Sequence, residues 1–401
     1  MNNSKYCIVI TEKKKCTGCS ACINICPTEA LHMKSDCNGF LYPILNEDKC
    51  INCDQCYVVC PETSTILATK PKLIFSAKNK NRMVIIESSS GGAFNGILRA
   101  IDDNSYVYGA TFNEDLEVKH KSEFGINKFT CFSKSKYIQS NLDDCFKEIL
   151  ALLNQNKNVV FSGLPCQIAG LRSFLKKKYS NLFCIELICN GVASPGLFSS
   201  YIKDIEKYYV DKVTNYTFRY KKNKKAMWRD FYIKIDFLER KSLIKKDDSF
   251  MKGYLAKLFM RESCVDCRYA QEKRVGDIVI GDFWGVEKDN TANNSQGYSI
   301  IICISDKSIT FIKNLREYMK LNRVSFEEIK EKNPTLYKPN EKNVLRDSFF
   351  TNYSKAKSYS EVIHKYIHKD SFPLKLKRAI LFYYRKCYNN FCFKREISND
   401  K

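Results

Sequence analysis

One cysteine phrase, closed each time by proline, occurs twice and thirty-four residues apart: Cys16, Cys19, Cys22, Cys26, Pro27 and then Cys50, Cys53, Cys56, Cys60, Pro61. The spacing C-x2-C-x2-C-x3-C-P belongs to loops that bind two [4Fe–4S] clusters. Three thiolates, each two residues from the next, can wrap one cubane from a single tight loop. The fourth, beside proline, leaves its loop and reaches the other cluster. The expected ligand sets are therefore Cys16, Cys19, Cys22 and Cys60 for one cluster, and Cys50, Cys53, Cys56 and Cys26 for the other. Zinc usually takes two separated pairs of ligands, and a disulfide framework needs an exported chain. Ile23, Ile25, Ile51, Val58 and Val59 are expected to form an apolar shell that limits water at the clusters.

The 401 residues suffice for two domains. The opening MNNSKYCIVITEKKK has no apolar signal core and no small-residue cleavage site. No apolar run reaches the roughly 18 residues of a membrane span. Twenty cysteines in a chain of this kind point to metal binding in a reducing cytoplasm. The formal charge of +22 counts cysteine as neutral; three clusters, at about −2 each with their thiolates, would bring it to about +16. The lysines are spread widely, as a solvated surface requires. They form no recognisable nucleic-acid recognition motif, so no nucleic-acid partner is expected.

The fold expected is an α+β ferredoxin-like domain over residues 1–67, a linker over 68–81, and a larger α/β domain with a mixed sheet over 82–340. A helical, basic, aromatic tail over 341–401 completes it. Short apolar runs at Asn158–Ser162, Leu182–Ile188 and Asp277–Gly281 read as strands, and Phe231, Ile233, Ile235 and Phe237, alternating with polar residues, as a half-buried one. Helices are expected from Cys166 onward after the turn Gly163-Leu164-Pro165, over Pro195–Tyr209, and through Leu142, Phe146, Ile149, Leu150 and Leu153 at helical spacing. Strands alternating with helices argue a partly parallel sheet. In the tail, Lys375–Lys394 admits two readings: an amphipathic helix on a membrane or partner, or a helix laid on its own protein.

Four further cysteines stand apart. Cys166 opens a helix after a strand-to-helix turn, where the helix N-terminus favours thiolate. Cys189 ends a strand, and Cys264 and Cys267 form C-x2-C. Two strand ends and one short loop can converge at one edge of an α/β sheet, where such folds place their sites. The spacing admits a third metal centre, with zinc and unrelated buried cysteines as alternatives. The four histidines (His32, His120, His364 and His368) give no support to acid–base catalysis, and no catalytic residue is assigned.

Several stretches resemble, in order, the coenzyme F-420 hydrogenase/dehydrogenase beta-subunit family. They are Ser88-Ser89-Ser90-Gly91-Gly92, YIQS at Tyr137–Ser140, SGLPCQIAGL at Ser162–Leu171 and CNGVASP at Cys189–Pro195. FRYK at Phe218–Lys221, SCVDC at Ser263–Cys267 and GDFWG at Gly281–Gly285 continue the series. A fused ferredoxin also occurs in that family. The resemblance implies a third [4Fe–4S] cluster at Cys166, Cys189, Cys264 and Cys267, and it implies FAD. Ser88, Ser89, Ser90, Gly91 and Gly92 suit a phosphate physically, because small residues let backbone N–H groups approach it; an ordinary turn capping the helix near Ala93 is the alternative. Phe283 and Trp284 would lie near a flavin or in the core. The segment Lys221–Trp228 departs from the family pattern, so no substrate site is carried over.

The expected function is an iron–sulfur flavoprotein oxidoreductase. Electrons would run between a one-electron redox partner protein, two ferredoxin clusters, a third cluster and FAD. FAD would exchange hydride with a small organic molecule, such as a 5-deazaflavin. A flavin-free electron-transfer adaptor is the principal rival, and a nucleic-acid-binding iron–sulfur protein a weaker one.

Overall fold

The computed structural model describes residues 12–64, 67–125, 131–222, 231–284 and 297–367. Lys375–Lys394, Trp228, His368 and Gly285 lie outside the described residues.

The first unit builds the same loop twice. Cys16 leads through Thr17-Gly18-Cys19-Ser20 into helix α1 (Ala21–Ile25), and strands β1 (Leu31–Ser35) and β2 (Leu41–Leu45) form an antiparallel hairpin. Cys50 leads through Ile51-Asn52-Cys53-Asp54 into α2 (Gln55–Val58). Gly18 and Ser20 in the first loop, and Asn52 and Asp54 in the second, have φ between 52° and 72°. Glycine visits this left-handed region freely, and short polar residues such as Asn and Asp more readily than most others. Two such residues per loop curl the backbone so that its cysteines can face one side.

The larger unit is an eight-stranded mixed sheet in the order β13-β3-β12-β11-β7-β6-β4-β5. In chain order its first elements are β3 (Leu73–Asn79), α3 (Arg82–Glu87), α4 (Ala93–Ala100), β4 (Ser105–Phe112) and β5 (Val118–Phe124). Next come α5 (Cys145–Asn154), β6 (Asn158–Gly163), α6 (Pro165–Leu175), β7 (Leu182–Leu187) and α7 (Pro195–Tyr209). A three-stranded antiparallel flap of β8 (Val213–Tyr220), β9 (Tyr232–Phe237) and β10 (Leu243–Lys245) follows, then α8 (Ser249–Leu255). The sheet is completed by β11 (Ile278–Asp282), β12 (Ser299–Cys303), α9 (Asp306–Tyr318) and β13 (Met319–Arg323). Strands β4, β6, β7 and β11 are parallel neighbours, with Val160 opposite Phe183 and Ile278 opposite Ile185. Their continuous apolar runs are those of strands covered on both faces.

Among the described residues, the expected strands and helices fall where their periodicity places them, with two differences in how the chain divides. Residues 68–81 are not simply a linker, because β3 occupies Leu73–Asn79 between β13 and β12. The flanking lysines and Pro71 disguise it; its middle residues Ile74, Phe75, Ser76 and Ala77 are all buried. The start of the expected tail also belongs to the core. Helix α10 (Phe326–Lys330) precedes it, and helices α11 (Arg346–Tyr353) and α12 (Tyr359–Ile363) bury Phe349, Phe350, Tyr359 and Ile363 in the same apolar cluster as α7.

The two units are joined by directed polar contacts. The Asn24 side chain of α1 accepts from the Phe146 and Lys147 N–H groups, both 3.2 Å, and so caps α5 from 122 residues away. Gln139 reads both backbone groups of Leu41, at 3.0 and 3.1 Å. Gly39, at φ 77°, lies against Gly196, where an added Cβ would stand 2.7 Å from the facing Cα. Deeper in the sheet, Arg274 donates to the fully buried Glu186, which also accepts from the Val275 and Gly276 N–H groups at 2.9 and 2.7 Å. Removing one partner of a buried ion pair leaves an uncompensated charge. Arg274→Met should therefore lower the unfolding free energy by about 3–5 kcal/mol, read from denaturant unfolding of anaerobically purified protein; a loss below about 1 kcal/mol, the scale of an exposed pair, would contradict it.

Candidate functional site

Three adjoining cavities carry the chemistry-bearing residues. The first is lined by Cys16, Cys19, Cys22 and Cys60, with Ser20 beside them. It thus unites three cysteines of one loop with the trailing cysteine of the other. All four are 7–8% exposed. Cys50, Cys53 and Cys56 sit on the second loop and α2, and Cys26 ends α1; Cys53 is exposed and the other three are half-buried. Burial opposes ionisation of Cys26, but the Thr28 hydroxyl and the N–H groups of Thr28, Ala30 and Leu31 outweigh it and hold the thiol below its ordinary range. The Ala30 N–H stands 3.3 Å from its sulfur. The apolar shell expected there is incomplete. Val59 is buried, but Ile51 and Val58 are more than 60% exposed, because the second loop and α2 face outward.

The second cavity is lined by Cys166, Cys189, Cys264 and Cys267. Pro165 and Cys166 begin α6, Cys189 follows β7, and Cys264 and Cys267 come from the turn after α8. The Gln167 side chain accepts from the Leu164 N–H at 2.9 Å and fixes the start of α6. The thiolate-favouring effect expected of the helix N-terminus does not prevail. Burial, followed by repulsion from Cys189, Cys267 and Cys264, drives the Cys166 thiol well above its ordinary range. Burial likewise pushes Cys189 up to about 12 and Cys267 to about 11. Thr17 and Gly18 line both this cavity and the first.

The third cavity is a cleft open to solvent at the carboxyl ends of β4, β6, β7 and β11. It shares Ser140, Leu164, Gln167, Cys189, Gly191 and Val192 with the second cavity. Ser88, Ser89, Ser90 and Gly92 line it, whereas Gly91 does not. Gly91 instead lies against the sheet, where a Cβ would stand 2.6 Å from Ala77 O and Ser299 N. Ser88 Oγ donates to Val84 O at 2.6 Å and Ser90 Oγ to Tyr298 O at 2.7 Å. Ser89 Oγ accepts from the Ser135 N–H at 3.1 Å. Gly92, at φ 80°, is the N-cap of α4 and offers no side-chain cap, so the first-turn N–H groups at the cleft lack that partner. Lys221 Nζ holds the loop from behind through Ile85 O and Ser90 O, at 2.7 and 2.9 Å. Burial, then the Arg219 charge, pushes its ammonium down to about 7. Arg219 pairs with Asp282 at the cleft wall and carries Trp284 over its guanidinium at 5.7 Å. Phe283 packs in the core with Val279 and Ile300.

Two cleft residues carry no signal in the sequence. His120 is buried on β5, stacked on Phe161 at 5.4 Å, with Nε2 3.1 Å from Ser162 O. That contact makes Nε2 the protonated nitrogen and leaves Nδ1 as an acceptor. Burial holds the imidazole neutral, its pKa lowered to about 4. Lys136 donates to Cys131 O at 3.1 Å and Ser133 O at 2.9 Å, and burial lowers it to about 7. Each cavity wall also carries a buried polar atom without a hydrogen-bond partner among the described residues: Ser20 Oγ in the first, Ser263 Oγ in the second and His120 Nδ1 in the third. Such atoms ask for a partner from whatever fills the space. Among the described residues, no three His, Cys, Asp or Glu side chains converge tightly enough for a single ion. No described helix is long and apolar enough to cross a membrane.

Two family models match the chain. Residues 15–64 match the 4Fe-4S dicluster domain, and residues 156–329 match the C-terminal part of the coenzyme F420 hydrogenase/dehydrogenase beta subunit. Among solved structures, a chain of the F420-reducing [NiFe] hydrogenase complex from Methanosarcina barkeri is 13% identical with a TM-score of 0.43. That match covers 67% of this chain and 91% of the other. No curated protein matches.

A lysine with a lowered pKa is nucleophilic near neutrality, while ordinary lysines stay protonated to about pH 10. In acylation followed by peptide mass spectrometry across pH, Lys136 should reach half its maximal labelling near pH 7. A midpoint near that of exposed lysines would contradict this environment.

Proposed function

The chain belongs to the coenzyme F420 hydrogenase/dehydrogenase beta-subunit family, with a 4Fe-4S dicluster domain ahead of the matched region, and on that footing we propose an iron–sulfur flavoprotein that relays electrons between a one-electron protein partner and an organic hydride donor or acceptor. The observation that carries this reading is the row of cavities, in which the first shares a wall with the second and the second with the cleft. When bound, the clusters would supply one-electron chemistry, and a flavin would supply the exchange between one- and two-electron steps.

The residues fit those groups. Cys16, Cys19, Cys22 and Cys60 would hold one cluster, and Cys26, Cys50, Cys53 and Cys56 the other. Cys166, Cys189, Cys264 and Cys267 would hold the third. Zinc would draw its four sulfurs to about 3.8 Å of one another, given Zn–S bonds of about 2.3 Å. A cubane spreads its thiolates further apart, so the iron and zinc content of the purified chain separates the two. In the cleft, the unfilled first turn of α4 and the Ser88–Ser90 loop would bind an anionic group such as a dinucleotide pyrophosphate. His120 Nδ1 would accept a hydrogen bond from an N–H edge of the ring system, and Lys136 would offer a proton near neutral pH. The exposed second loop, with Cys53 and Ile51 at the surface, is the side at which a protein partner would exchange electrons.

Anaerobic purification with iron, sulfide and flavin quantitation tests the reading. About twelve irons and one flavin per chain are expected; eight irons without flavin would favour a flavin-free adaptor. Cys264→Ser should lose about four irons and keep its flavin stoichiometry. His120→Leu should keep all its iron and bind flavin about tenfold more weakly, the effect of one lost hydrogen bond of about 1.4 kcal/mol.

A further inference from the structure

Arg261 is 0% exposed, and it sits where the two units meet. Its Nε donates to Cys16 O at 2.9 Å, and Nη1 donates to Leu41 O and Gln139 Oε1, both 3.0 Å. Nη2 reaches Cys16 Sγ at 3.7 Å. The guanidinium lies over the Tyr42 ring, 3.9 Å from its centroid. Among the described residues no carboxylate lies within ion-pair distance of it. A buried guanidinium stays charged, and buried charges need a counter-charge. The group it touches that can carry negative charge is the sulfur of Cys16.

The need is mutual. The four cysteines of that cavity are 7–8% exposed, whereas Cys53 of the other set is open to solvent. Reduction adds negative charge to a cluster, and a buried site resists that charge more than an exposed one. Left to burial alone, the inner cluster would be the harder of the two to reduce. Hydrogen bonds to cluster sulfur and a nearby positive charge act in the opposite direction.

We propose that Arg261 is a positioning residue that supplies the counter-charge to the cluster held by Cys16, Cys19, Cys22 and Cys60, and so keeps that cluster's reduction potential above the value its burial would impose. The proposal rests on the two-cluster reading of the first unit. It gives the fusion of the two units an electronic purpose: the larger unit reaches into the smaller one and sets the potential of its inner centre.

The experiment uses the full chain, purified anaerobically, with Arg261→Gln and Arg261→Lys. Midpoint potentials are read by EPR-monitored titration, beside an iron count. With iron retained, Arg261→Gln should shift one N-terminal cluster to lower potential and leave the other in place. Arg261→Lys, which keeps the charge but loses the fork, should recover part of the shift. Unchanged midpoints in Arg261→Gln, or equal shifts of both clusters, would overturn the proposal. Should the variants fail to fold, the unaltered chain grown with 15N-arginine provides the test. Its reduced inner cluster should show a 15N hyperfine coupling by pulsed EPR, and a spectrum without one overturns the assignment. Fewer than about eight irons in the unaltered chain would overturn the cluster reading beneath it, an outcome visible before any potential is measured.

Discussion

The row of cavities depends on how closely the Cys16–Cys22 loop can approach α6. Gly170 makes that approach feasible: an added Cβ would stand 2.9 Å from both Cβ and Sγ of Cys19. Any side chain at 170 would push the loop off the helix whose first turn carries Cys166. Cys19 is near enough to contribute, after burial and the three cysteines of its own cavity, to the upward shift at Cys166. Two cysteine groups from different units are thereby held within each other's electrostatic field. The approach is fixed at its margins by Asn24, Gln139 and Arg261, all buried and all bonded across the seam.

Much of this was legible in the chain. The eight-cysteine repeat, the parallel strands and the helices after Pro165 and Pro195 have local causes: ligand spacing, apolar runs and proline at the first helical position. The third cysteine group could be assembled because strand ends of an α/β sheet point to a common edge. What stayed hidden has non-local causes. Strand β3 looks like a linker until its buried residues meet β12 and β13. Gly91 looks like part of a phosphate loop, yet its lack of a side chain serves close contact with the sheet. His120 lies in a strand of lysines and glutamate, and nothing local marks its ring as buried. The family-like stretches also divide in a way that no motif announces. Of YIQS, Tyr137, Ile138 and Ser140 face the cleft, while Gln139 turns the other way and binds Leu41.

The cleft also shows how a lysine-rich chain handles positive charge near its interior. Lys221 and Lys136 each spend their ammonium donors on backbone carbonyls. Burial lowers both toward neutrality. Their protonation therefore responds to what enters the cleft: an anionic guest would favour the charged form. Arg219, by contrast, keeps its charge through Asp282. The cleft thus has one adjustable cation in its wall, Lys136, and a second, Lys221, behind the serine loop that lines it.

Asn24 caps α5 with an oxygen that stands between the third and fourth cysteines of the first repeat. A cap of this kind contributes about 0.5–2 kcal/mol to a helix, and a cysteine loop of this type gains order when its metal binds. The first turn of α5 is therefore thermodynamically linked to the state of a loop more than a hundred residues upstream. Binding of iron and sulfide on the small unit and formation of that turn on the large one would then strengthen each other.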